Sequence, residues 1–411
     1  MNHAIPPRRS LCITLGLAAL SAVCAAGGAV QPAAGQPAVR LGMSTALTGP
    51  SARLGTGVLA GVRAAIEEQN KAGGANGRTI ELIALDDGYE PSRAVPNTHD
   101  LIEKHKVVAI IGNVGTPTAV ATLPILTEAK VPLVAPFTGA GALRKSPPDR
   151  YVINFRASYV EETGAMIDNL VTVAGLKPQE IALFTQRDAY GDAGHAGITA
   201  AMKRHGLTDP SRILHTRYER NTIAVENAVA DVLMTDPPPR AIIMVGAYAP
   251  CAEFIRRCRT EGFNPVFLNV SFVGSAALAE TAGSSGDGVF ITQVVPHPES
   301  DAPLAVAFRK AMAARPEADR NLDFTALEGY AGARMLLRAI ASIKETPGAE
   351  GIVNALESLG SFDIGTGEQL KLSPTDHQAS HRVWLTVLRN GKALPAQWSD
   401  LGPKGQAVVQ P

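Results

Sequence analysis

The sequence predicts an α/β fold of two Rossmann-like lobes, each built on a parallel-core sheet. Three observations carry that prediction. Strand-like and helix-like segments alternate four times between residues 39 and 144, the pattern of a doubly wound parallel sheet. The alternation starts afresh after Arg156-Ala157-Ser158, which reads as a crossing point between two bodies of similar build. The chain has 411 residues, enough for two domains with a large buried core.

The N-terminus reads as an export signal. Arg8-Arg9 form a basic start, Leu11 to Ala22 an apolar run, and Val23-Cys24-Ala25 a small-residue cleavage site. Residues 1–26 are therefore expected to be removed, residues 27–38 to form a flexible leader, and the mature chain to be exported. The apolar run is too short for a retained membrane helix. Cys24 is a candidate for lipidation, though Val23 before it suits that motif poorly. Arg8-Arg9 is a weak match to a twin-arginine signal.

Val39 to Leu47 is the first strand, and the loop from Thr48 to Gly55 leads into a helix over 56–72. Ile80 to Leu85 is the second strand. Asp86-Asp87 at its end suits capping better than catalysis, and a helix runs from Ser92 to Lys104. Val107 to Ile111 and Val131 to Ala135 are the next two strands. Thr116-Pro117 reads as a helix start, with the hydroxyl at the N-cap and proline at the first helical position. Phe137-Thr138-Gly139-Ala140-Gly141 follows the fourth strand as a small-residue loop. Two such loops at neighbouring strand ends face the crevice where open α/β sheets bind ligands, and their hydroxyls and free N–H groups suit a carboxylate. Ordinary βα turns with routine caps would look the same.

Beyond the fifth strand, Tyr151 to Phe155, helices are expected at 160–174, 222–234 and 250–261, with another from Asp188-Ala189-Tyr190-Gly191 to His205. Strands are expected at Ile181 to Thr185, 213–217, Ala241 to Val245 and Val266 to Asn269. Val289 to Val294 is a strand expected to cross back, followed by helices at 302–314, 325–344 and 349–358. Asn390-Gly391 marks a late hairpin between Trp384 to Arg389 and Lys392 to Leu394. The expected lobes are 39–156 with 289–375, and 157–288 with 376–400, followed by a loose tail over 401–411. Tyr190 and Tyr248 both stand at strand ends of the second lobe, as core edge or as a ligand platform.

Other chemistry finds little support. Lys+Arg and Asp+Glu both number 38, and no basic block suggests nucleic acid. Gly55-Thr56-Gly57-Val58-Leu59-Ala60 fits a loose dinucleotide fingerprint, but about eight loop residues separate it from its strand, so close helix packing explains it better. His377 and His381 lie in a Ser/Pro/Asp-rich segment and read as surface loop, not metal ligands. No nucleophile elbow, P-loop or C-x-x-C is present. No enzyme activity, cofactor or metal is expected. Cys251 and Cys258 share a predicted helix, roughly 10 Å apart along its axis, too far for a disulfide. They are expected to be free, mostly buried thiols.

With these residues in view, the chain resembles the periplasmic leucine/isoleucine/valine-binding protein family, the type I solute-binding components of ABC transporters. The resemblance runs over nearly all of 39–395. It is carried by Ala46-Leu47-Thr48-Gly49-Pro50, Asn76-Gly77-Arg78, Asp86 to Pro91, Ile111 to Thr116, Val131 to Pro136, Tyr190-Gly191, Gly274 and Glu328-Gly329-Tyr330. It implies two lobes joined by a three-segment hinge and closing on a ligand. It also implies a monomer that serves an inner-membrane ABC permease. Family members hold an amino-acid carboxylate with a hydroxyl and N–H groups of the first lobe, which match Thr116 and Phe137, Thr138 and Gly139 here. The second-lobe tyrosines match Tyr190 and Tyr248. The family's aromatic near the first loop is Leu54, and its ammonium-binding acid falls at Ser271. Without that acid a buried ammonium has no charge partner, so this departure from the family favours a small carboxylate- or amide-bearing ligand, amino-acid-like or an aromatic acid. A periplasmic sensing module and, more remotely, a dinucleotide-dependent enzyme are the alternative functions.

Overall fold

The computed structural model describes residues 37–402. The signal, most of the leader, Cys24 and residues 403–411 lie outside the described residues. The chain opens with β1 (Val39–Thr45), α1 (Ala52–Lys71), β2 (Ile80–Asp86) and α2 (Pro91–Glu103). It continues with β3 (Ala109–Ile111), α3 (Thr116–Ala129), β4 (Leu133–Val134) and β5 (Val152–Ile153). These strands form one parallel sheet in the order β2-β1-β3-β4-β5. The order reverses between β1 and β3, so the loops at their C-terminal ends diverge to opposite faces and leave a crevice.

After β5 the chain crosses into a second body. Its elements are α4 (Tyr159–Thr172), β6 (Ile181–Gln186), α5 (Ala189–Arg204), β7 (His215–Tyr218), α6 (Glu226–Met234) and β8 (Ala241–Val245). Then come α7 (Tyr248–Thr260), β9 (Val266–Asn269), α8 (Ser275–Ala282) and β10 (Phe290–Gln293). The chain next returns to the first body through α9 (Pro303–Ala313), α10 (Phe324–Ser342), α11 (Ala349–Glu357) and a small antiparallel pair, β11 (Gly360–Phe362) and β12 (Leu370–Leu372). It ends in the hairpin β13 (Trp384–Arg389) and β14 (Lys392–Ala396), whose Asn390-Gly391 turn has both φ angles positive, the geometry that an Asn-Gly pair favours.

The second sheet runs β14-β13-β10-β9-β8-β6-β7. Its parallel part repeats the strand order of the first sheet, with β10 as the fifth strand where β5 stands in the first. The return to the first lobe, expected at residue 289, therefore comes later. Phe290–Gln293 pairs with β9 and β13, and the chain leaves the second sheet only after it. Helix α8 and the β11–β12 pair have no counterpart among the sequence expectations. The tail begins later than expected too: Trp398–Leu401 forms a 3-10 turn with Leu401 buried.

The glycines of the apparent dinucleotide motif serve packing. A Cβ on Gly57 would lie 2.1 Å from Thr325 Oγ1, and one on Gly61 would lie 1.8 Å from the Ala326 carbonyl oxygen. Helices α1 and α10 thus meet backbone to backbone across the first lobe. Cys251 and Cys258 are buried and unbridged in α7. His377 is buried, not part of a surface loop: its Nδ1 lies 2.9 Å from the Val152 carbonyl and its Nε2 3.1 Å from Glu357. His381 does face solvent, 2.6 Å from Glu161.

Candidate functional site

The first lobe contributes backbone and hydroxyls. Helix α3 starts one residue earlier than its sequence suggests. Gly115 (φ 106°) is the N-cap, Thr116 is the first helical residue, and no side chain caps the helix. The Thr116 hydroxyl is therefore free of capping duty and meets the Thr138 hydroxyl at 2.6 Å. Only glycine takes that positive φ without strain, and the Tyr89 ring occupies the space a Cβ on Gly115 would need, 2.1 Å from Cε2. Tyr89 is itself in the left-handed region (φ 63°), a strained choice for an aromatic residue. Its N–H donates to Asp87 Oδ1 at 2.8 Å, and burial pushes that carboxyl up to about 6. Asp86 accepts from the Leu47, Thr48 and Gly88 N–H groups and pairs with Arg93, the capping role expected of it.

The second lobe contributes bulk and charge. Phe272 lies at the centre, with ring centroids 4.5 Å from Tyr190, 5.3 Å from Phe137 and 6.0 Å from Tyr89. Two of those three partners belong to the opposite lobe. Tyr159, the first residue of α4, stacks 5.3 Å from Tyr190, and its N–H donates to the Gly139 carbonyl at 2.7 Å. Leu54 packs against Gly274, where an added Cβ would come within 2.5 Å of Cδ2. Tyr248 opens α7 with its hydroxyl beside the Arg53 backbone, and burial raises its pKa against the pull of Arg53.

A fully buried guanidinium sits beside this cluster. Arg156 holds Glu162 at 2.5 Å, reaches Glu328 at 3.5 Å and donates to the Ser271 hydroxyl. Its carbon lies 5.5 Å from the ring centres of both Phe137 and Tyr159. Glu162 also accepts from the Ser271 N–H at 2.8 Å and the Thr292 hydroxyl at 2.6 Å. Burial opposes the charge on Arg156, but Glu328 and Glu162 hold its pKa above the usual range. Burial pushes the Glu328 carboxyl up to about 7 against the pull of Arg156. Ser271, the position where an acid would meet an ammonium, is thus occupied by the chain's own cation and its counter-ions.

All eight residues singled out by sequence, Leu54, Thr116, Phe137, Thr138, Gly139, Tyr190, Tyr248 and Ser271, lie in the loops or first helical turns that follow strands β1, β3, β4, β6, β8 and β9. Sequence reasoning missed Tyr89, Arg156, Tyr159, Glu162, Phe272 and Glu328. One signal was available: an arginine between Phe155 and Ala157, in an apolar crossing segment, demands buried partners. At the rim the lobes touch directly, through Arg220–Glu90 at 2.8 Å, Asn221–Glu90 at 2.7 Å and Arg53–Glu280 at 2.8 Å. Among the described residues no cluster of three or more metal-ligating side chains occurs.

The sequence matches the profile of the periplasmic binding proteins over residues 38–393. A possible leucine/isoleucine/valine-binding protein from Rhodopirellula baltica is 48% identical, with 90% of this chain and 99% of that one covered at a TM-score of 0.87. A substrate-binding periplasmic protein from Ralstonia solanacearum is 32% identical, with 87% and 100% covered at 0.80. A curated amino acid binding protein of Pseudomonas aeruginosa is 25% identical over 247 residues, which span 60% of this chain and 63% of that relative.

Proposed function

The chain belongs to the periplasmic binding protein family, and from that premise we propose that it is an exported solute-binding protein. It captures a small carboxylate- or amide-bearing ligand between two closing lobes and delivers it, as a monomer, to an ABC importer in the inner membrane. The observation that carries this reading is the meeting of side chains from both lobes around Phe272, with Phe137 and Tyr89 from one side and Tyr190 from the other. A ligand held by both sets favours the closed arrangement by its differential contacts, because equal affinity for open and closed forms would shift nothing. Closure then gives a permease a surface that reports occupancy.

The carboxylate half of the site is supported by Thr116, Thr138 and the uncapped start of α3. The Arg156–Ser271 contact argues against an ammonium in the other half. A thermal-shift screen of amino acids, amides and aromatic acids on the purified mature protein tests the reading. A stabilising solute, confirmed by calorimetry and by compaction in small-angle scattering, is the expected result. A screen in which no small solute binds would overturn it.

A further inference from the structure

The hydrogen-bond inventory of the cleft leaves donors over, although the Asn269 Oδ1 acceptor at the end of β9 is also buried without a partner. Four tyrosines, Tyr89, Tyr159, Tyr190 and Tyr218, are buried there. Tyr218 donates to Gln186 Oε1 at 2.9 Å and accepts from the Ala247 N–H at 2.8 Å. Tyr190 donates to the Gly246 carbonyl at 3.4 Å, and Tyr89 accepts from the Gln186 amide at 3.1 Å. The Tyr159 hydroxyl is fully buried and has no partner among the described residues. It lies beside the Thr138 hydroxyl and the Gly139 backbone of the opposite lobe without completing a bond to either, and burial pushes it up to about 12.

The neighbouring groups are donors in search of acceptors as well. Thr116 and Thr138 share one bond, and Ala140 N–H donates to Thr138 at 3.2 Å, so the pair has one further proton to give. The Asn113 amide nitrogen is buried without a partner. The carboxylates nearby are already engaged: Glu162 by Arg156, Ser271 N–H and Thr292, and Glu328 by Arg156. A cleft with surplus donors and no free carboxylate matches a ligand that accepts hydrogen bonds and brings no cation of its own.

We propose that the Tyr159 hydroxyl contacts ligand, completing with Thr116 and Thr138 a three-hydroxyl cradle for the carboxylate of an aromatic acid lacking an ammonium group. This deepens, and rests on, the solute-capture reading above. The faces of Phe137, Tyr190 and Phe272 match an aryl ring, and the ring of Tyr159 against Tyr190 fixes the direction of the hydroxyl.

The test is calorimetric titration of wild type, Tyr159→Phe and Thr138→Val with benzoate, phenylacetate, phenylalanine and leucine. At least one of the two acids should bind wild type, and neither amino acid should. Tyr159→Phe should lose at least tenfold in affinity for that acid and keep its ligand-free melting temperature, because its hydroxyl has no protein partner to lose. Thr138→Val should weaken the same acid. Unchanged affinity in Tyr159→Phe, or a fall in its ligand-free melting temperature, overturns the role of Tyr159. Binding of phenylalanine or leucine with both acids silent overturns the ligand class but leaves solute capture standing. Silence from all four overturns this inference, and the broader solute screen then decides separately whether the chain captures a solute at all.

Discussion

Strands β3 and β4 of the first sheet end in short loops of mostly small residues, whereas β6, β8 and β9 of the second sheet end in more aromatic side chains. Gly112 to Thr116 and Pro136 to Gly141 offer hydroxyls and N–H groups. Tyr190, Tyr248 and Ser271-Phe272 offer rings and, through Arg156, a charge. Both sheets share one parallel strand order, so the difference lies in the loops and not in the scaffold. It teaches a division of labour. The small-residue side can approach a ligand closely with its backbone, and the bulky side can cover it and choose its shape. Arg156 illustrates the asymmetry. It sits on the crossing between the lobes, yet it grips the second-lobe Glu162 at 2.5 Å and reaches the first-lobe Glu328 only at 3.5 Å.

The sharpest way to break the comparison is Phe272→Ala. If the second lobe's bulk holds the lobes together, removing this fully buried ring should cost about 3–5 kcal/mol of stability, read by denaturant unfolding. A loss under about 1 kcal/mol, the range of surface substitutions and less, would show that the ring is not the wedge.

Glu328→Gln probes the loose end of the Arg156 cluster. The folded pKa of Glu328 is raised, from 4.5 to about 7, so its contribution to stability is full below pH 4.5 and is lost as pH rises through about 7. The variant mimics the protonated acid. It should match wild type near pH 4 and exceed it at pH 8, by on the order of 3 kcal/mol. A variant less stable than wild type at pH 8 would mean that the ion pair with Arg156 outweighs burial.

On the small-residue side, Thr116→Val keeps shape and removes the hydroxyl. It should weaken binding of the acid found in the screen by roughly 1–3 kcal/mol, and calorimetry showing no change would take Thr116 out of the site. The smallest effect is expected at the rim. Glu90→Gln loosens the contacts to Arg220 and Asn221, which are partly exposed, and should change stability by less than about 1 kcal/mol. A larger loss would move the clasp from the aromatic centre to the edge.

What was legible in the sequence is what local pattern decides. Both runs of alternating strands and helices were visible, as was the Asn390-Gly391 hairpin, because apolar spacing and turn chemistry are local. What escaped depends on distant partners. Phe290–Gln293 has the composition of any buried strand, and only its pairing with β9 and β13 places it in the second sheet. Helix α8 is short, rich in alanine and flanked by Gly274 and Gly283, so no broad apolar stripe announces it. His377 lies in a polar stretch that reads as surface, yet the Val152 carbonyl of β5 and the Glu357 carboxylate draw it inward. At the site, the strand-end loops were legible as candidates. Tyr159 and Phe272 were not, because their importance comes from facing rings and hydroxyls that belong to the other lobe.

The backbone contact of α1 with α10 also sets a timetable. The glycine face of α1 is complete by residue 71, but the helix that covers it begins at Phe324. The 252 residues between Lys71 and Phe324 take about 13–50 s to synthesise at roughly 5–20 residues per second. During that interval the first lobe lacks the surface that seals its opening helix, and the second sheet in turn waits for β13 and β14, which follow α10. Splitting each lobe around the other thus delays the moment at which the growing chain can close either one.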